Sequence, residues 1–322
     1  MARSDLVLKL VKSGMNGDKS LFTKTVEAMI AEESNKKHSI FAKQLQSSLK
    51  ENVSNNIRVS TNGISSLLYE KLPEKSIEDI ILSNHTLKTI KDFIEEQNRA
   101  DLLRAHNIEP RNRILLVGPP GNGKTSLAEA LASSLTLPFY TVQYEGIIGS
   151  YLGETANRLK TLFDFVRTQK CLIFFDEFDA IGKERGDTHE TGEIKRVVSS
   201  LLLQIDKLPS YVVVVTATNH AELLDKAVWR RFQMRLNLEK PTTKEIIIYL
   251  EHIQQSIGMS FEYSNKVIAQ KLHGLNFSEI EEFALDIQRK YVLSAPDANT
   301  KKIVRSVISE LDRRYVPSVK KS

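Results

Sequence analysis

The sequence predicts an α/β fold: a parallel sheet covered by helices, joined to a C-terminal helical unit and preceded by a small N-terminal helical segment. Three observations carry this. The apolar run at 114–117 leads through a glycine-rich turn into residues 126–135, which have helical spacing and good helix formers. The runs at 171–175 and 211–215 are apolar throughout, as in strands buried on both faces. After Glu239-Lys240-Pro241 the pattern changes to helices at about 243–257, 264–272, 278–294 and 301–314.

The glycine-rich turn reads Gly118-Pro119-Pro120-Gly121-Asn122-Gly123-Lys124-Thr125-Ser126. Strand, glycine-rich loop, Lys-Thr and helix together form a phosphate-binding loop. Its glycines let backbone N–H groups converge on phosphate oxygens. The helix N-terminus adds partial positive charge. Lys124 is expected to reach the β and γ phosphates, and Thr125 to hold Mg²⁺.

Two carboxylates, Asp176 and Glu177, end the apolar run at 171–175. Open α/β sheets bind ligands at such strand ends, where buried carboxylates would otherwise be costly. Asp176 is expected to support Mg²⁺ and Glu177 to act as base toward the attacking water. Asn219, ending the run that starts at Tyr211, can orient that water from the opposite side. Arg230 and Arg231 stand side by side, either as a surface pair or as donors to a transition state in a neighbouring subunit. His189-Glu190 begins a zinc-protease pattern, but position 193 is glutamate where a second histidine is needed.

The remaining segments are read in order. Residues 1–58 form three amphipathic stretches, for example Leu6, Val7, Leu10 and Val11, then Leu21, Phe22, Val26, Met29 and Ile30. They are expected to form a small helical, adaptor-like domain. Residues 59–76 are expected to be a linker, in a region rich in serine and asparagine. The large domain spans 77–239, the helical lid 240–316 and a tail 317–322. Within the large domain, a helix is expected at 85–104, a strand at 139–142, a helix at 154–167, a mobile loop at 183–193 and a helix at 194–203. Tyr151-Leu152-Gly153 lies in a turn, and from its spacing alone the tyrosine reads equally as buried or as presented by the glycine.

The chain has 322 residues and a net charge of +5. Residues 1–58 carry ten Lys and Arg against six Asp and Glu, so the remainder is nearly balanced. That balance argues against nucleic acid as the partner of the larger part. Cys171 is the sole cysteine, so no internal disulfide can form. No apolar run approaches the roughly 20 residues that span a bilayer. Lys9 and Lys12 interrupt any signal-peptide core, and a cytoplasmic location is expected.

Together these motifs resemble the AAA ATPases, in the branch of protein-remodelling and severing motors, from about residue 77 to 314. Residues 118–125 are similar to the family's Walker A, with Asn122 where threonine is usual. Residues 173–180 are similar to Walker B, with Phe178 for isoleucine. Asn219 matches sensor 1, and Arg230 and Arg231 match the arginine fingers. Tyr151, Leu152 and Gly153 stand where the family carries its pore loop, and Thr188 and His189 where a second one lies. Ile80 and Ile81 replace a glycine-rich segment that cradles adenine. Phe277 replaces a glycine in the stretch 274–280. The resemblance implies a P-loop NTPase fold, ATP and Mg²⁺ as cofactors, and a homo-oligomeric ring, most often a hexamer. It also implies hydrolysis coupled to remodelling or threading of a protein, recruited through residues 1–58. The alternatives are a nucleotide-gated scaffold that recruits a separate effector such as a protease, and a DNA-handling ATPase.

Overall fold

The computed structural model describes residues 64–147, 152–179, 191–295 and 298–315, together with Thr25. The chain divides into two compact units, Met1–Gly63 and Ile64–Ser322. Thr25 apart, the helical segment expected at 1–58 lies outside the described residues.

The second unit opens with β1 (Leu68–Lys71), a 3-10 turn at Ile77–Asp79, and helices α1 (Asn84–Asn98) and α2 (Ala100–Ala105). Then come β2 (Arg113–Val117), α3 (Lys124–Ser134), β3 (Phe139–Val142), α4 (Tyr144–Ile147), α5 (Leu152–Val166) and β4 (Cys171–Phe175). They are followed by α6 (Thr191–Asp206), β5 (Val212–Thr218), α7 (Lys226–Arg231) and β6 (Met234–Asn237). Four helices close it: α8 (Thr243–Ile257), α9 (Asn265–Lys271), α10 (Phe277–Leu293) and α11 (Thr300–Tyr315).

The sheet order is β1-β3-β4-β5-β2-β6, and every pairing is parallel except β1 with β3. β4 and β5 lie in the middle, and every residue of both is buried. The β-branched valines of β5 suit that two-sided packing. Successive side chains point to opposite faces. Leu115 and Phe175 pack with Phe163, Leu202 and Ile205 on one side. Leu116 and Phe174 pack with Ile90, Phe93, Leu127 and Leu131 on the other. Thus α1 and α3 cover one face, and α5 and α6 the other, giving the predicted α/β arrangement.

The C-terminal helices have their own core, including Ile246, Leu250, Phe261, Phe283, Ile287 and Val304. Thr242 and Glu245 form a capping box at the start of α8, and Gly258 ends that helix in the left-handed region at φ 64. Asn276 and Glu279 form a capping box at the start of α10.

Three sequence expectations need correction. The stretch 59–76 is not all linker, because β1 lies within it and pairs antiparallel with β3, with Leu67 and Leu68 in the core. β6 falls where no strand was expected; its polar residues Arg235 and Asn237 alternate with buried Met234 and Leu236, and its four residues are too few to show that period. The loop expected at 183–193 is helical from Thr191, and residues 183–190 lie outside the described residues.

The segment after β1 is pinned to α3 by a buried carboxylate. Glu129 is 2% exposed. It accepts from Lys71 Nζ at 2.6 Å and from the Glu74 backbone N–H at 3.0 Å. Burial alone would push its pKa up, but these hydrogen bonds and the Lys71 charge hold it below 4.5. A carboxylate with a lowered folded pKa stabilises above its unfolded pKa and loses that contribution as pH falls through the folded value. Glu129→Gln is therefore expected to cost about 1–3 kcal/mol at pH 7. In thermal unfolding followed against pH, the gap from the parent should narrow below 4.5; a gap constant with pH would refute the ionic contribution.

Candidate functional site

β2 delivers the chain to Gly118 at the carboxyl edge of the sheet. The Gly118 N–H donates to Thr218 O at 3.3 Å. Gly118 has φ 148, and a Cβ there would lie 2.2 Å from Leu238 O, so only glycine lets the loop pass beside the end of β6. Asn122 is buried in the loop, and its Nδ2 donates to Leu238 O at 3.3 Å. Gly123 caps α3 at φ 80 with no side-chain cap, so the first N–H groups of the helix keep no partner from the cap. The helix begins at Lys124, two residues earlier than the sequence suggested, which puts Lys124 and Thr125 in its first turn.

Lys124 is only 7% exposed. Its Nζ donates to Gly118 O at 2.7 Å, Pro119 O at 3.0 Å and Asn219 Oδ1 at 2.6 Å. Burial lowers its pKa, against the opposing charges of Asp176 and Asp179. Thr125 Oγ1 donates to Asp176 Oδ2 at 2.9 Å. A hydroxyl and a carboxylate oxygen side by side are the donor set a hard cation such as Mg²⁺ takes. Lys75 Nζ donates to Ser126 Oγ at 2.7 Å, one residue further along α3.

Beyond β4 the Asp176 Oδ1 also accepts from the Glu177 N–H at 2.9 Å. Phe178 then fixes the chain: its N–H donates to Ala217 O at 2.8 Å and its ring meets Phe175 and Phe232 edge-on. Held on both sides, Glu177 adopts φ 46, a left-handed conformation unusual for a side chain with Cβ. Its side chain is exposed. Asp179, 3% exposed, accepts from Thr218 Oγ1 at 2.9 Å.

The lid reaches this loop directly. The N–H and Oγ of Ser278 donate to Gly121 O at 3.1 and 3.3 Å. Gly121 has φ 75, and a Cβ there would come within 2.7 Å of Asn276 Oδ1. Phe277 packs edge-on against Tyr249 with ring centroids 5.0 Å apart. Ile80 and Ile81 are half-buried, and Ile80 packs on the core face shared by α1 and α3.

The structure thus brings Lys124, Thr125, Asp176 and Asn219 together, with Glu177 beside them. It does not add the arginines to this cluster. Arg231 Nε donates to Asp206 Oδ2 at 2.7 Å, and the same carboxylate accepts from Arg113 Nη1 at 2.6 Å. Arg230 is exposed, and no ion pair holds it among the described residues. Tyr151 lies outside the described residues, while Leu152 and Gly153 open α5. Thr188 and His189 also lie outside them. Sequence reasoning missed Asp179, Asn276 and Ser278 as parts of the site. Asp179 had a signal, three residues after Asp176; Asn276 and Ser278 fall in the stretch 274–280 that the family resemblance marked, but their approach to Gly121 is visible only in the folded chain.

Residues 114–240 match the family described as ATPase family associated with various cellular activities (AAA). An uncharacterized AAA family ATPase, y4kL, of Sinorhizobium fredii is 34% identical over 316 residues, covering 93% of this chain and 94% of that protein. A putative 26S proteasome regulatory subunit homolog of Methanothermobacter marburgensis is 33% identical, over 55% of this chain and 48% of its own length. An AAA ATPase forming ring-shaped complexes, from Corynebacterium diphtheriae, is 31% identical over 60% of this chain and 42% of its own. The chain thus spans nearly all of the first relative and less than half of the other two.

The lid contact predicts an effect of Gly121→Ala. The φ of 75 and the approach of Asn276 both oppose a methyl group, and the variant should lose about 1–2 kcal/mol of stability. Amide exchange at Ser278 should accelerate with it; protection there equal to the parent's would show that the lid does not depend on this contact.

Proposed function

This chain belongs to the AAA family of ATPases, and from that premise we propose that it binds and hydrolyses Mg²⁺-ATP as a ring oligomer that remodels or threads a protein substrate. The observation that carries the reading is the double link at the sheet's edge. Lys124 is tied to Asn219 at the end of β5, and Thr125 to Asp176 at the end of β4. Phosphate entering the loop replaces neutral oxygen partners of Lys124 with anionic ones, which a buried ammonium favours. Thr125 and Asp176 would hold Mg²⁺, which neutralises charge on the β and γ phosphate oxygens. Glu177 takes the proton from the attacking water, and Asn219 orients that water. Gly118 to Ser126 wrap the phosphates, while Ile80 and Ile81 cover the base.

Arg230 and Arg231 complete a neighbouring subunit's site in this reading. Arg230 is free among the described residues to do so, and Arg231 leaves Asp206 to Arg113. A relative described as forming ring-shaped complexes supports the oligomer. Tyr151, Leu152 and Gly153 grip the substrate inside the ring, and residues 1–58 recruit it or an adaptor. Among the described residues no helix is long and apolar enough to cross a membrane. A cytoplasmic location remains part of this reading.

Glu177→Gln should retain ATP binding while phosphate release falls by about 10²–10⁴-fold; turnover near the parent rate would remove Glu177 as the base. Subunits carrying both Arg230→Ala and Arg231→Ala, mixed with unchanged subunits, should depress ATPase activity by more than their share of the mixture. A strictly proportional decline would argue that each site is complete within one chain.

A further inference from the structure

Arg230 is exposed and unpaired among the described residues, so the backbone of α7 sets its direction. α7 has six residues, too few to hold a helix by its own hydrogen bonds. Val228 and Phe232 are buried in the core, and the half-buried Trp229 packs against it. Arg231 is bonded to Asp206. The carbonyl of Trp229 is left over: the helix ends at Arg231, so no helical N–H lies four residues ahead of it.

β6 supplies the missing partner. Arg235 is an exposed residue of this edge strand, opposite Leu115 in β2. Its Nη2 donates to Trp229 O at 2.6 Å. The same guanidinium lies over the Trp229 ring, 5.8 Å from the centroid, within cation–π range. Its charge also suits the carboxyl end of a helix. No carboxylate pairs with Arg235 among the described residues. One side chain thus grips both the carbonyl and the ring of the residue before Arg230. Its base is firm, because β6 pairs with β2 along its length and Leu238, just beyond it, supports the phosphate-binding loop at Gly118 and Asn122.

We propose that Arg235 is a positioning residue for the arginine that α7 offers to a neighbouring subunit: its double hold on Trp229 fixes the end of α7 and so aims Arg230. The proposal rests on Arg230 and Arg231 acting in a neighbour's site. Arg235 acts through Trp229 alone. A lysine ammonium can satisfy the carbonyl, but it lacks the planar fork that stacks on the indole while donating.

In the full chain, Arg235→Gln should lower kcat about 10–10²-fold. The KM for ATP and the Tm should stay at the parent's values, because ATP is held by the subunit's own loop and Arg235 is exposed. Arg235→Lys should recover part of the loss. In the background carrying both Arg230→Ala and Arg231→Ala, Arg235→Gln should have no further effect, because no arginine remains to aim. An unchanged kcat would overturn the proposal. So would an equal fold loss in both backgrounds, or a fall in Tm or ATP affinity alongside the lower kcat. If the Arg230→Ala, Arg231→Ala background itself keeps full turnover, the shared-site reading fails; if that background is slow and Arg235→Gln is not, only the role of Arg235 fails.

Discussion

The interaction on which the site depends is a lysine ammonium buried against neutral oxygens. Lys124 sits in the first turn of α3 at 7% exposure, bonded to two loop carbonyls and the Asn219 amide oxygen. A buried cation with no direct carboxylate partner is poorly compensated. The loop must therefore curl back on itself to present Gly118 O and Pro119 O, and β5 must end where Asn219 can reach. Much of the geometry around the sheet's edge follows from satisfying that one charge. The same arrangement leaves the lysine ready for an anion, since neutral partners are readily exchanged for charged ones.

Around this charge the chain has little freedom. Gly118 is wedged beneath Leu238 O, and Asn122 reaches the same carbonyl, so β6 buttresses the loop from behind. Phe178 anchors the chain after β4 through a run of aromatic rings, and Glu177 absorbs the resulting strain. From the other side the N-terminus of α10 closes on Gly121. The lid is therefore linked to the phosphate-binding loop by hydrogen bonds to one glycine carbonyl, a contact that movement of the loop would alter directly. At a different corner, Asp206 serves both Arg113 and Arg231. If Arg231 acts on a neighbour, Arg113 is there to keep that carboxylate paired.

The sequence and the structure agree most closely where a pattern is long or chemically unusual. The glycine-rich turn with Lys-Thr, the apolar runs of β4 and β5 with polar residues at their ends, and the period of α8 were all readable. So was the family, to which the motifs alone pointed. β1 and β6 were not, because four-residue strands at the edges of a sheet carry too few alternations. The start of α3 at Lys124 was hidden because Gly-Lys-Thr reads as loop until the helix is seen to begin there.

What the sequence by itself determined is the chemistry available: a phosphate-binding turn, two carboxylates after one buried strand, an asparagine after another, and adjacent arginines. These depend on residue type and short spacing, which a linear chain records. What only the tertiary structure decided is which of those groups meet. Strand order brings Asn219 to Lys124 and Asp176 to Thr125, and the lid brings Ser278 to Gly121. Such contacts join residues up to about 160 positions apart, and their distances arise from packing rather than from any local preference of the chain.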